Sequence, residues 1–107
     1  MLFRSQGTSA IAIGILAGSS LQGQNAVAIG YYAGQATQSS GAIGIGYQAG
    51  QTGQSQNTIA IGSNAGYNYQ SLNSIAIGSG AAQNTQNSNS VAIGNASGQN
   101  KIGRAHV

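Results

Sequence analysis

Glycine recurs at Gly14, Gly30, Gly46, Gly62, Gly78 and Gly94, a spacing of 16 residues held without a slip. Self-similarity at a fixed short period is the signature of a repeat architecture, in which each unit buries its surface against the next. The residue before each glycine is Ile (Ile13, Ile29, Ile45, Ile61, Ile77, Ile93), and two positions further back stands Ile11, Val27, Ile43, Ile59, Ile75 or Val91. Small residues lie between them at Ala12, Ala28, Gly44, Ala60, Ala76 and Ala92. The rest of the unit repeats as well. A Gln column runs through Gln22, Gln38, Gln54, Gln70 and Gln86, and an Asn column through Asn25, Asn57, Asn73 and Asn89, with Gly41 in the second-repeat slot.

The β-branched, small, β-branched pattern has a period of two and excludes an amphipathic helix, which needs apolar residues at i, i+3 and i+4. A 16-residue unit is long enough for one solenoid coil of two short strands and two tight corners. The expected fold is therefore all-β: a parallel β-solenoid, or β-roll, of six 16-residue coils. In this reading the Ile and Val columns point inward and stack about 4.8 Å apart, giving a core two residues wide. The six glycines turn the corners, with the Asn column supplying positive φ at the other end of the coil. The opposite face, a flat strip of Ala12, Ala28, Gly44, Ala60, Ala76 and Ala92, becomes the candidate oligomer interface. The Gln and Asn columns are expected to form amide ladders along the stack.

Composition narrows the function. The chain has no Asp, Glu, Cys or Pro, and its charges are Arg4, Lys101 and Arg104, with His106 beside them. The net charge of +3 is thus a property of the ends and does not signal nucleic-acid binding. Residues 6–100 carry no carboxylate, His, Lys or Cys to act as acid, base or nucleophile, so the expectation is a non-enzyme with no catalytic residues. No metal or cofactor is expected, because hard cations need carboxylates and zinc needs Cys, His or carboxylate ligands. The run from Gly41 to Gly50 superficially suggests a nucleotide loop. It is one copy of the repeat, with no helix pattern after it and no acidic ribose partner. The longest apolar stretch, Ala10–Ala17, is broken by Gly14 and is far too short to insert in a membrane. The variable outward positions include five tyrosines, Tyr31, Tyr32, Tyr47, Tyr67 and Tyr69, which are candidate contacts for a sugar or a protein partner.

Ser-Ile-Ala-Ile-Gly (Ser74–Gly78) and Ser-Val-Ala-Ile-Gly (Ser90–Gly94), each preceded by Asn, resemble the head repeats of trimeric autotransporter adhesins. Strings such as Ile-Gly-Tyr-Gln-Ala-Gly-Gln (Ile45–Gln51) are also similar to repeats of virus and phage fibres. The resemblance implies a left-handed roll, three chains about one axis, and an extracellular place on a cell or virion surface. A host-surface protein or glycan would be the ligand. Those heads use coils near 14 residues and carry outward charges, and this chain departs from them on both counts. Two readings from other classes stand beside it: a monomeric solenoid lying on ice or polysaccharide, and a self-assembling filament subunit. The ice reading lacks a regular Thr column, since only Thr37 and Thr85 share one.

The ends read differently. Lys101–Val107 resembles the translation of a short-read sequencing adapter, and Leu2–Ser5 that of its partner. The expected organisation is a scar at 1–5, a repeat array at 6–100 that is an internal fragment of a longer protein, and a scar at 101–107.

Overall fold

A computed structural model describes residues 6–99, together with the backbone of residues 101–102 and 105–106. The scar expected at 1–5 lies outside the described residues. The chain winds into an all-β parallel solenoid of about five turns, with no helix among the described residues.

Each repeat contributes one three-residue strand at its Ile-small-Ile segment: β1 (Ile11–Ile13), β3 (Val27–Ile29), β5 (Ile43–Ile45), β7 (Ile59–Ile61), β9 (Ile75–Ile77) and β11 (Val91–Ile93). A two-residue strand ends in each column Gln: β2 (Leu21–Gln22), β4 (Thr37–Gln38), β6 (Gly53–Gln54), β8 (Tyr69–Gln70) and β10 (Thr85–Gln86). Odd strands form one parallel sheet and even strands the other, each pairing with the equivalent strand of the next coil. The register is the repeat itself, as in Ile11↔Val27 and Gln38↔Gln54. Two further strands, β12 (Lys101–Ile102) and β13 (Ala105–His106), pair with β10 and β11 within the segment read as a scar.

The corners follow the glycine column. Gly14, Gly30, Gly46, Gly62, Gly78 and Gly94 have φ between 124° and 127°, where only glycine is comfortable. A Cβ on Gly46 would also lie 2.8 Å from the Gly62 carbonyl oxygen, so successive corners nest backbone to backbone. The second corner uses Asn25, Asn57, Asn73 and Asn89 in the left-handed region at φ 57–58°.

The interior reverses the inside-outside assignment drawn from the sequence. Ala28, Ala60, Ala76 and Ala92 are fully buried, Gly44 is buried, and Ala12 in the first coil is half-buried. The Ile and Val columns face outward instead. Ile11, Ile13 and Ile93 are exposed, whereas Val27, Ile29, Ile43, Ile45, Ile59, Ile61, Ile75, Ile77 and Val91 are half-exposed. The Ala strip is thus core, not an interface, and the β-branched columns are surface, not core.

The reason is the width of the coil. The two sheets lie so close that the space between them holds only methyl-sized groups and the column glutamines. Even at Gly44 an added Cβ would meet the Ala49 carbonyl oxygen at 3.0 Å and Gln54 Oε1 at 3.1 Å. An Ile side chain pointing inward would have no volume to occupy. Three small columns close the core: the one just named, the one through Ala17, Ala33, Ala49, Ala65 and Ala81, and the one through Ala26, Ala42, Thr58, Ser74 and Ser90.

The column glutamines are the largest side chains in the interior. Gln38, Gln54, Gln70 and Gln86 are almost wholly buried. Each crosses from the even sheet to the odd one, as when Gln54 Nε2 donates to the Ile43 carbonyl at 2.7 Å. The same nitrogen donates to Oε1 of the next glutamine at 3.1 Å (Gln54 to Gln70), and the bond recurs from Gln22 through Gln86. All four rungs point the same way, so the amides form a head-to-tail chain along the axis. A buried amide with all its groups bonded costs little to bury, and its neighbours reinforce it. At the start of the chain Gln22 Oε1 has no donor among the described residues.

Candidate functional site

The described residues hold no group of three or more His, Cys, Asp or Glu that would bind a metal ion, and no helix long and apolar enough to cross a membrane. Three outward surfaces of the solenoid present side chains to a partner.

The first is the odd sheet. Because its alternation places Ala inside, every Ile and Val of its repeat strands lies on one outer face, in two columns that run the length of the array. Only one strand position separates the columns, so the face is a continuous β-branched strip. On strand spacing its six rows cover a footprint of about 29 by 10 Å, roughly 300 Å². That is already the size of the largest apolar patch on a typical monomer.

The second is the corner after each glycine. Tyr31 stacks on Tyr32 with ring centroids 4.2 Å apart and on Tyr47 of the next coil at 5.4 Å, the planes within 6° in both cases. The 16-residue register superposes Tyr31 and Tyr47, and a left-handed backbone at Tyr32, φ 61°, folds its ring back onto Tyr31. The Tyr31 phenol is pushed above its ordinary value, first by hydrogen bonding with Tyr32, then by the charge Tyr32 would carry on ionising. Three of the five tyrosines thus come together, while Tyr67 and Tyr69 lie apart from them. Tyr67 is half-buried ahead of β8, and Tyr69 is exposed on β8 itself.

The third is the outer face of the even sheet, whose column reads Leu21, Thr37, Gly53, Tyr69 and Thr85. It is irregular, and at Gly53 it has no side chain. Sequence reading passed over this position, although a glycine inside a column of larger residues is a visible signal. Surface amide rungs flank the even sheet, with Gln51 Nε2 donating to Gln35 Oε1 at 2.7 Å and Gln99 Nε2 to Gln83 Oε1 at 2.8 Å.

Comparison with protein-family models, with curated proteins and with solved structures gives no match.

Proposed function

We propose that the chain is a structural segment of an extracellular fibre or adhesin head, a left-handed roll of six coils that three copies build by packing their Ile/Val faces about a common axis. One observation carries this reading: the β-branched residues of the repeat strands lie outside a core made of Ala, Gly and Gln. A solenoid that meets only water does not need twelve aliphatic side chains in two unbroken columns. A three-chain bundle does, because the columns then form a large aliphatic core beside the narrow Ala, Gly and Gln core of each coil. The oligomer face is accordingly the Ile/Val face of the odd sheet, and the Ala strip is withdrawn from that role.

The magnitude is consistent with a rod that gains strength with length. Covering about 300 Å² of apolar surface contributes roughly 7 kcal/mol per chain, against an association cost of about 4–15 kcal/mol. Each further coil adds to the first quantity and not to the second. A fibre role also suits the even sheet and the tyrosine corner, which remain exposed when the odd faces meet. The reading of a single solenoid lying on ice finds no support in the irregular column of the even sheet.

Light scattering coupled to size exclusion tests the proposal. A particle of three times the 10.6 kDa of one chain supports it, and a folded monomer at tens of micromolar chain refutes it.

A further inference from the structure

The even sheet carries a groove of about 300 Å³ centred on Gly53, the one glycine in its outward column. Its floor is Gly53, its far wall is the ring of Tyr69, and its rims are Thr37, Ser39, Thr52 and Ser55 from two coils. The ring leans over the glycine: a Cβ on Gly53 would lie 3.0 Å from Tyr69 Cδ1 and 3.1 Å from Cε1. We propose that this groove is a binding site for one ring of a neutral saccharide.

Three properties select that chemistry. The groove holds no ionic group, so it offers no counter-charge to a phosphate, a carboxylate or a cation. The four rim hydroxyls make no side-chain hydrogen bond among the described residues, and each can both donate to and accept from a ligand hydroxyl. The Tyr69 ring is 60% exposed and presents an aromatic surface, whose negative face attracts the polarised C–H groups of a sugar ring. An extended peptide fits less well. The strands that line the groove, β4, β6 and β8, are paired on both sides and leave no backbone edge for a peptide to join. The groove lies on the sheet opposite the Ile/Val face. The inference therefore does not rest on the three-chain reading, and the oligomer mass and the sugar titration fail independently.

The groove also accounts for the adjacent glycine and tyrosine in an otherwise irregular column. Thr stands at 37 and 85, and the coils between them carry Gly53 and Tyr69 in that slot. One removes a side chain and the next supplies a ring that bends into the space.

The test is a two-dimensional NMR titration of the full chain. The probes are methyl glucoside, methyl galactoside, N-acetylglucosamine and a trisaccharide of each, with a Pro-rich peptide as the contrasting ligand. A shallow single-ring site predicts a millimolar Kd, shifts confined to Thr37–Ser39, Thr52–Ser55 and Tyr69, and tighter binding of one trisaccharide. Gly53→Thr restores the column residue, fills the floor and displaces the ring, and should weaken binding at least about tenfold. Its backbone is unstrained, because φ at Gly53 is not positive, and the ring it displaces is exposed, so the variant should still fold, as its thermal melt will report. Tyr69→Thr, which also restores the column, should act alike and stands in should the first variant not fold. No saccharide shifting these residues, shifts centred on Tyr31, Tyr32 and Tyr47, unchanged binding in both variants, or the peptide alone binding would each overturn the proposal.

Discussion

Replacing Gln54 by a glutamate turns the buried amide chain into a pH-dependent fault. The parent chain has no Asp or Glu, so between about pH 3 and 8 it has no side-chain carboxylate to titrate. Gln54 Nε2 donates to the Ile43 carbonyl at 2.7 Å and to Gln70 Oε1 at 3.1 Å, and its Oε1 accepts from Gln38 Nε2 at 3.0 Å. A protonated carboxyl keeps the acceptor and one of the two donations. At pH 3 the variant should lose about 1–3 kcal/mol, the cost of one buried acceptor left unpaired. An ionised carboxylate keeps neither donation and sets a negative charge against two oxygens in a site that is 1% exposed. Burial of this kind raises a carboxyl pKa by as much as about 3–5 units above its free value near 4.3. At about 1.36 kcal/mol per unit, the further loss is about 4–7 kcal/mol. The folded pKa lies above the unfolded one, so the variant is most stable below about pH 4 and weakens as pH rises toward about 8. Gln70 can offer its nitrogen to the introduced carboxylate only by giving up its own bonds to the Ile59 carbonyl and Gln86, at 2.8 and 2.9 Å. Urea unfolding followed by circular dichroism at pH 3, 5 and 8 measures the effect, with Gln35→Glu on the half-exposed surface column as control. A Gln54→Glu curve as flat with pH as the parent and the control would refute an interior amide chain.

Ala60→Val should lose about 1–3 kcal/mol or fail to fold, since the coil has no room for added methyls; thermal unfolding reports it. Ile61→Asp should leave the fold of each coil intact and abolish the oligomer in light scattering, because the side chain leaves the surface of the odd sheet. Loss of β-sheet circular dichroism in that variant would return the Ile column to the interior. Gly46→Ala should destabilise the chain by at least about 3 kcal/mol in urea unfolding, through an unfavourable φ of 126° and a Cβ 2.8 Å from the Gly62 carbonyl.

The repeat length, the Ile-small-Ile strand, the glycine corners and the Gln ladder were legible in the residues, whereas the two-residue strands that end in Gln carry no alternation long enough to place them. Period-two alternation locates Ile61 and Ala60 on opposite faces but does not say which face is inside. Size and hydrophobicity favour Ile for a core, and that preference failed because it presumes a core with room. The decisive signal was present elsewhere in the coil. Three small columns and one invariant Gln occupy the positions that converge on the axis, and residues of that kind suit sheets held nearly in contact. For the outward sites, the variable tyrosines were visible as a set. Only the coil register separates the stacked group of Tyr31, Tyr32 and Tyr47 from Tyr69, whose role depends on an absent side chain at Gly53.

Among the described residues every hydrogen bond between coils joins residues close to one repeat apart, as in Ile11 N to the Ala26 carbonyl and Gly30 N to the Ile13 carbonyl. Under a pulling force such a chain unwinds from one end, since among the described residues no bond between coils holds a distant part of the sequence in place. Each released coil frees 16 residues, or about 53–58 Å of extended chain. Force–extension traces of a single chain should therefore show equal steps whose number counts the coils. A partly unwound chain can also rewind one coil out of phase at the loss of a single repeat, since the interior columns of neighbouring coils are nearly interchangeable. The irregular outer residues then serve as the only marks that distinguish a correct rewinding from a shifted one.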